Sequence, residues 1–297
     1  MKTRWNILYR GPLSSCNYGC VYCPFAKKRN TREELRDDEA RLKRFIDWAG
    51  ERSRSREIGV LFTPWGEALG HGYYQRAFIA LGSMAGVYRV AAQTNLSSRL
   101  DWLERADPSK AALWCTYHPG ETTRGRFLRQ CAELHRRGIR HSVGVVGMRE
   151  HLDEIEAMRA ELPRDTYLWV NAYKRLPDYY STGDIDKILA VDPLFPLNAT
   201  RHASLGQSCR AGETSFTVDG DGDVRRCHFI KNTIGNIYDT GFEACLRPRS
   251  CSNEHCGCHI GYVNLERLQL DRAYGDGILE RIPMEAPDRL APLAKVL

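Results

Sequence analysis

Short apolar runs alternate with longer amphipathic segments over roughly the first 190 residues of this 297-residue chain. The apolar runs are rich in β-branched and aromatic residues and predict strands, and hydrophobic residues at helical spacing between them predict helices. The predicted strands cover about residues 4–10, 58–62, 87–92, 111–116, 141–146 and 167–172, and the predicted helices about 31–48, 73–84, 98–105, 123–137, 150–161 and 184–190. This repeated order predicts an α/β fold with a parallel sheet and helices outside it, as an open doubly wound sheet or as a barrel.

The pattern changes after about residue 200. Two short apolar runs, 215–218 and 224–227, flank a Gly/Asp turn and predict a β-hairpin. We therefore expect three parts: an α/β unit over residues 1–200, a small Cys-rich extension of a hairpin and a short helix over 201–262, and a charged helix with a Pro-rich tail over 263–297.

Composition narrows the class of protein. Hydrophobic residues make up 42% of the chain, enough for a sizeable core, and no apolar run approaches the roughly 18 residues that span a membrane. The 43 Lys and Arg against 37 Asp and Glu give a net charge of +6, spread along the chain rather than gathered with aromatic residues as in nucleic-acid surfaces. The segment after Met1 lacks the apolar core of a signal peptide. We expect a cytoplasmic protein that binds neither membranes nor nucleic acids.

Three of the eleven cysteines, Cys16, Cys20 and Cys23, stand within eight residues after the first predicted strand. A loop with this C-x-x-x-C-x-x-C spacing can wrap three thiolates around one corner of a cubic four-iron cluster. Three protein ligands leave one iron open, and an open metal position is where chemistry takes place. Zinc and disulfides are the alternatives, but no fourth zinc ligand follows before His71, and thiols stay reduced in the cytoplasm.

With Tyr22 directly before its last cysteine, this motif resembles the defining motif of the radical S-adenosylmethionine superfamily. The resemblance implies a partial six-stranded (β/α) barrel whose first loop holds a 4Fe–4S cluster, with S-adenosylmethionine bound to the open iron. It also implies an external reductant such as flavodoxin or ferredoxin, and cleavage of S-adenosylmethionine to a 5′-deoxyadenosyl radical that abstracts a hydrogen atom. Tyr22 would cover the cluster or a ligand beside it.

Two motifs at the ends of the second and third predicted strands extend this resemblance. Gly66 and Glu67 resemble the end of the family's Gly-Gly-Glu motif, which meets the amino group of S-adenosylmethionine, with Trp65 in place of the first glycine. Thr94 and Asn95 resemble a Thr-Asn pair that reaches the methionine carboxylate or the ribose. An ordinary βα turn and a helix cap are the alternative interpretations.

Residues at the ends of the later strands face the active site of such a barrel. Thr116 and His118 could bind ribose or substrate there, although a lone histidine is more often structural. Val145 lies in a glycine-bearing fifth strand that resembles the strand backing the adenine in this family. Asn171 and Lys174 follow the sixth strand and are expected to face substrate from their position alone.

Six further cysteines lie between residues 209 and 258. Cys209 and Cys227 flank the predicted hairpin, so its folding can bring their thiols together, and three more follow in C-x-x-x-x-C-x-C spacing. Zinc is one interpretation, because four thiolates in a small domain are a common zinc site. The histidines that could join such a site are His228, His255 and His259.

The sequence around these cysteines also resembles the SPASM/Twitch extension of radical S-adenosylmethionine enzymes, through Cys-x-x-Gly, a Val-Asp-x-x-Gly hairpin and Ile-Gly-Asn-Ile. The C-x-x-C-x-x-x-x-x-C run of the full SPASM pattern is absent, so the resemblance implies a Twitch-like extension with one auxiliary 4Fe–4S cluster. Such a cluster relays an electron or binds substrate. The implied ligands are Cys209, Cys227, Cys251 and Cys256, with Cys258 as the rival for the last place.

Cys245 and Cys115 lie outside both spacings. By resemblance to the family's epimerases, either could be a catalytic thiol that returns a hydrogen atom to a substrate radical. A small buried side chain is the alternative interpretation for both residues.

The implied function is hydrogen-atom abstraction from a peptide or protein by an oxidoreductase or maturase, with the auxiliary cluster relaying an electron. Two alternatives stay open. The same chemistry could act on a small molecule, or the protein could be a non-catalytic iron–sulfur or zinc-binding scaffold or electron carrier.

Overall fold

A nine-stranded sheet lies at the centre of the computed structural model, which describes residues 4–26, 28–285 and 289–290. The strands are β1 (Arg4–Arg10), β2 (Glu57–Phe62), β3 (Val87–Thr94), β4 (Ala111–Tyr117), β5 (Arg140–Gly147), β6 (Leu168–Ala172), β7 (His202–Ala203), β8 (Ser208–Cys209), β9 (Ser215–Asp219), β10 (Asp223–Arg225), β11 (Thr233–Asn236), β12 (Arg249–Ser250) and β13 (His255–Cys256). The order in the large sheet is β11-β10-β9-β1-β2-β3-β4-β5-β6. β1 to β6 all run parallel, which confirms the predicted α/β fold with a mostly parallel sheet.

Helices follow most of the parallel strands. They are α1 (Arg32–Arg52), α2 (Gly72–Ser83), α3 (Arg124–Arg136), α4 (Leu152–Glu161), α5 (Thr182–Val191), α6 (Phe195–Ala199), α7 (His259–Tyr262) and α8 (Asp271–Tyr274). α1 begins at a capping box, in which the Thr31 hydroxyl accepts from the Glu34 N–H at 3.2 Å and the Glu34 carboxylate accepts from the Thr31 N–H at 2.8 Å. None of the described helices combines the length and the apolar composition that crossing a membrane requires.

The two faces of the sheet bury different residues, because successive side chains of a strand point to opposite sides. On β1, Ile7 and Tyr9 pack into the core beneath the helices, where the rings of Tyr9 and Phe45 lie 4.5 Å apart. Leu8 points the other way and packs with Leu61 and Leu279. The face of the sheet opposite α1 is therefore covered in part by the C-terminal segment.

The predicted hairpin joins the large sheet. β9 pairs in parallel with β1, with Leu8 opposite Thr217, and β10 pairs antiparallel with β9. Residues beyond 200 thus continue the same sheet, and the division of the chain at residue 200 stays a prediction.

Beyond residue 262, the expected charged helix is reduced to the four-residue α8 and a buried segment. The Glu280 carboxylate is buried and forms ion pairs with Arg89 at 3.2 Å and Arg140 at 3.3 Å. Arg281 is also buried, with its guanidinium carbon 4.3 Å from the centre of the Trp169 ring. These charges are buried because each has a partner far away in the sequence, which the local pattern of residues does not reveal.

Candidate functional site

A cavity of about 480 Å³ lies at the carboxyl ends of β1 to β6. Carboxyl ends of parallel strands meet at one edge of a sheet, so loops far apart in sequence converge there. Eleven candidate residues from the sequence line this cavity: Cys16, Cys20, Cys23, Gly66, Glu67, Thr94, Asn95, Thr116, His118, Asn171 and Cys258. The structure thus brings the three-cysteine loop and the two strand-end motifs to one place.

The three thiols of the first loop lie close enough for their charges to interact. Burial raises the pKa of Cys20 to about 11, and burial likewise raises the pKa of Cys16, with a smaller contribution to each from Cys23. Thiols whose pKa is raised in this way stay protonated at neutral pH unless a cation or a metal binds beside them. Three cysteines around one cavity are the donor set that a cluster with one open iron requires, so the residues present fit that group.

Within the described ranges, no three His, Cys, Asp or Glu side chains converge closely enough to bind a single metal ion. In a cubic cluster each thiolate binds a different iron atom, so its thiolates stand further apart than the ligands of one ion. Among the described residues, the lack of three convergent side chains therefore argues against a site for a single metal ion, but not against a cluster.

Asn30, which the sequence did not suggest as a site residue, fixes the start of the cysteine loop. Its Oδ1 atom accepts from the backbone N–H groups of Ser14 and Ser15, each at 2.8 Å. The loop is also held from β2, because the Trp65 N–H donates to the Leu13 carbonyl at 3.1 Å. The position of the loop therefore depends on contacts with two other segments of the chain.

Glu67, Thr94 and Asn95 form one hydrogen-bonded unit. The buried Glu67 carboxylate accepts from the Thr94 hydroxyl and from the Asn95 N–H, both at 2.7 Å. Burial raises the pKa of Glu67 to about 7, and these hydrogen bonds oppose the shift only in part. The Asn95 side chain continues the network by donating to the Asn17 side chain at 2.9 Å. Both strand-end motifs are thus connected to the cysteine loop.

Tyr22 and His118 contact each other beside Cys20. The Tyr22 hydroxyl lies 2.9 Å from His118 Nδ1, and the two rings are stacked with centroids 6.0 Å apart. Burial lowers the pKa of His118 to about 4, so its imidazole is neutral at pH 7. The Cys20 sulfur lies 3.4 Å from the same nitrogen. Tyr22 therefore links the cysteine loop to the end of β4.

Strand alternation decides which predicted residues reach the cavity. Val145 and Cys115 are completely buried in the core beneath the helices, whereas their neighbours Val146 and Thr116 line the cavity. Cys245 does not line the cavity either. It packs against β11, where a Cβ atom on Gly235 would lie 2.8 Å from its sulfur.

Two tryptophans that the sequence did not suggest also line the cavity. The rings of Trp114 and Trp169 meet edge to face, with centroids 5.3 Å apart. Trp169 lies across β5 directly over Gly144, where a Cβ atom would be 2.0 Å from the indole. The glycine in the fifth strand is thus required by this tryptophan.

The second cysteine group is assembled by short strand pairs. β8 pairs with β12 and β7 with β13, which brings Cys209, Cys251 and Cys256 towards Cys227 after β10. Burial raises the pKa of Cys256 to about 12 and raises the pKa of Cys209 and Cys227, and each of these thiols also interacts with Cys251. The four first-choice ligands therefore lie together.

A buried arginine accompanies this group. Arg226 donates to the Arg249 carbonyl at 3.1 Å and to the Ser250 carbonyl, and its guanidinium also lies at the Cys209 thiol. No carboxylate in the described residues forms an ion pair with it. A cation in this position favours thiolates over thiols.

Cys258 lies between the two cysteine groups. It lines the cavity, and its charge interacts with Cys256, Arg10 and Lys174. The choice between Cys256 and Cys258 as a ligand stays a prediction.

The nearby histidines have other surroundings. His259 is buried between aromatic rings, 5.4 Å from Trp114 and 5.0 Å from Tyr274. His228 is stacked with Trp65 at 6.3 Å, and His255 is exposed in β13.

No protein-family model matches the sequence, and no curated protein matches it. The fold, however, is similar to solved structures. Histidine-tagged anSMEcpe with bound AdoMet has a TM-score of 0.55 at 14% identity over 99% of this chain and 96% of that chain. Native anSMEcpe with bound AdoMet and the Kp18Cys peptide has a TM-score of 0.53 at 14% identity over 80% of this chain and 78% of that chain.

SuiB from Streptococcus suis has a TM-score of 0.50 at 14% identity over 83% of this chain. The chain spans 66% of SuiB, a little under two thirds of its length. Similarity at this level of identity concerns the fold. The comparisons therefore show that the chain shares the fold of these proteins.

Proposed function

We propose that this protein is a radical S-adenosylmethionine enzyme that acts on a peptide or protein substrate. The observation that supports this most strongly is the single cavity in which a three-cysteine loop meets polar residues from the ends of β2, β3 and β4. A 4Fe–4S cluster bound to Cys16, Cys20 and Cys23 would supply the electron for reductive cleavage of S-adenosylmethionine. We further propose that β1 to β6 curve into a partial (β/α)6 barrel around the cavity.

Glu67, Thr94 and Asn95 would bind the amino acid part of S-adenosylmethionine. The Glu67 carboxylate attracts an ammonium group, and its hydrogen bonds from Thr94 and Asn95 fix its orientation. Val146 takes the adenine-backing role in place of Val145, and Thr116 faces the ribose or the substrate. The rings of Trp114 and Trp169 would exclude water from the reacting carbon, which a radical reaction requires.

Cys209, Cys227, Cys251 and Cys256 would hold the auxiliary cluster of a Twitch-like extension. That cluster would pass an electron to or from the substrate, while the first cluster receives its electron from an external reductant. Arg226 would stabilise the thiolate charges, since it is buried next to Cys209 and has no carboxylate partner in the described residues.

A peptide is the first candidate for the substrate, by analogy of fold with anSMEcpe, whose structure holds the Kp18Cys peptide. A small molecule is the second candidate, because a cavity of about 480 Å³ falls within the range of small-molecule sites.

Binding of S-adenosylmethionine to the reduced, iron-loaded protein tests the proposal. We expect its addition to change the electron paramagnetic resonance spectrum, and we expect Cys20→Ala to abolish this change. Cys131→Ala is the matched control, because Cys131 is a buried α3 residue that belongs to neither cysteine group. An unchanged spectrum from fully loaded wild-type protein would contradict the proposal.

A further inference from the structure

A second depression, of about 530 Å³, lies beside the cavity at the end of β6. We call it the β6 groove and define it by Tyr173, Lys174, Arg175, Tyr179, Tyr180 and Arg201. The groove adjoins the cavity along the chain, because Asn171 lines the cavity and the groove begins with the next residue. It also adjoins the cavity in space, since the Lys174 ammonium donates to the carbonyl of Gly257, the residue before Cys258.

Three cations of the groove have no carboxylate partner among the described residues. Lys174 donates to the carbonyls of Gly257 and Asn198. Arg175 donates to the Tyr22 carbonyl, and Arg201 donates to the Lys174 carbonyl, each at 2.9 Å. A guanidinium has five N–H donors, so both arginines keep donors available for a ligand.

Several other surface arginines of the chain are paired with carboxylates, although Arg267 is also held by a backbone carbonyl. Arg124, for example, forms ion pairs with Glu154 and Glu161, each at 2.7 Å. In the groove the one carboxylate of the lining, Asp178, forms no ion pair within the described residues, and positive charge remains in excess. Unpaired cations held in place by backbone carbonyls are a preformed site for anionic groups.

The same groove has an aromatic wall formed by its three tyrosines. The ring of Tyr179 lies 4.8 Å from that of Tyr173 and 5.0 Å from that of Tyr180. The Tyr180 hydroxyl fixes the wall, because it accepts from the Tyr173 N–H and donates to the Gly147 carbonyl, both at 2.7 Å. Ordered tyrosines offer both apolar surface and hydroxyl groups to a ligand.

We propose that the β6 groove binds carboxylate side chains of a peptide substrate, next to the residue that enters the cavity. This inference rests on the proposed function and adds the substrate class, an acidic peptide segment. The two guanidinium groups are anchored at different places, one at the cysteine loop through Tyr22 and one at Lys174. Guanidinium groups anchored at separate places can each bind a different carboxylate along an extended peptide. A single phosphate group would instead need donors that converge on one point.

Fluorescence anisotropy with the full-length, iron-loaded protein tests this inference without any turnover. The probe is a fluorescein-labelled peptide of about ten residues with alternating Glu and Ala, and its neutral counterpart has Gln in place of Glu. We expect the Glu peptide to bind at least about tenfold more tightly at low ionic strength. We expect added salt to reduce this advantage, because exposed charges are screened.

The variant Arg175→Gln/Arg201→Gln should lose about tenfold in affinity for the Glu peptide and keep its affinity for the Gln peptide. Lys43→Gln/Arg76→Gln is the matched control: it removes the same net charge from paired cations on α1 and α2, and it should bind like the wild type. Unchanged anisotropy in both variants would overturn the inference.

Three results would contradict the inference and leave the proposed function intact. Equal affinity for the Glu and Gln peptides would show that the groove does not recognise carboxylate charge. An equal loss of affinity in Lys43→Gln/Arg76→Gln would show that the effect comes from the net charge of the protein and not from the groove. Displacement of the Glu peptide by low-millimolar inorganic phosphate would reassign the groove to a phosphorylated small molecule. Failure of the proposed function would instead appear as an absence of S-adenosylmethionine binding, with peptide affinity unaffected.

Discussion

A Cβ atom on Gly66 would lie 2.1 Å from the carbonyl oxygen of Ser15. The backbone after β2 therefore runs directly against the backbone that leads into Cys16. The same carbonyl accepts from the Glu67 N–H at 3.0 Å, which holds the two segments together. Gly66 is thus required for the close approach of two backbones.

We predict that Gly66→Ala disrupts the three-cysteine loop, because the backbone carbonyl of Ser15 cannot move aside without displacing Cys16. The variant should lose the iron bound by that loop and melt at a lower temperature. Gly70→Ala is the control, since a Cβ atom there would meet only the Glu67 side chain, at 3.6 Å. Wild-type iron content in Gly66→Ala would show that the loop does not need this contact.

We predict that Asn30→Ala loses iron faster to a chelator than the wild type, because two backbone N–H groups of the loop lose their acceptor. Asn30→Asp keeps that acceptor and should keep most of the iron. The rate of iron release, followed by absorbance, measures the effect. Identical rates in Asn30→Ala and the wild type would refute this role for Asn30.

Glu67 should make the stability of the protein depend on pH. The unfolded carboxyl loses its proton near its ordinary pKa of 4.5, and burial delays this loss in the folded protein to about 7. Between these two pKa values the Glu67 carboxyl keeps its proton in the folded protein but loses it in the unfolded chain. The free energy of unfolding therefore falls as the pH rises through this window. The shift corresponds to about 3 kcal/mol.

Glu67→Gln removes this titration. We therefore expect the thermal midpoint of the wild type, relative to that of Glu67→Gln, to fall between pH 5 and pH 7.5. Differential scanning fluorimetry at constant ionic strength measures it. A constant difference between the two proteins across that range would show that the pKa of Glu67 is not raised by burial.

The ligands of the proposed auxiliary cluster can be assigned by iron content. We predict that Cys256→Ala reduces the iron to about four atoms per chain and that Cys258→Ala keeps about eight, because Cys256 interacts with Cys227 and Cys251 while Cys258 lines the cavity. The opposite pattern would make Cys258 the ligand. Equal loss in both would indicate that neither thiol is dispensable.

The sequence predicts the parallel part of the fold well because its strands are continuous apolar runs. The apolar run over residues 111–116, for example, predicts β4, which spans Ala111–Tyr117. The short helix predicted over 98–105 is a five-residue 3-10 helix, Asp101–Arg105. The sequence pattern does not predict α6, although Pro196 suits the first turn of a helix.

The candidate site was predictable where it follows from strand ends and cysteine spacing. The contributions of Asn30, Trp114 and Arg226 were not, because each acts through contacts with segments far away in the sequence. Val145 shows a second limit. The sequence predicts the strand but does not show whether Val145 or Val146 faces the cavity. A shift of one residue along a strand moves a side chain to the opposite face of the sheet.

Formation of 5′-deoxyadenosine from S-adenosylmethionine and dithionite, measured together with iron and sulfide on anaerobically reconstituted protein, distinguishes a radical enzyme from a metal-binding scaffold. We expect 5′-deoxyadenosine from the wild type with about eight irons per chain, and none from Cys20→Ala. Formation of 5′-deoxyadenosine by protein with about four irons per chain would support a radical enzyme but contradict the proposed auxiliary cluster. Zinc in place of iron, or no 5′-deoxyadenosine from fully loaded protein, would contradict radical chemistry on S-adenosylmethionine and favour a metal-binding scaffold.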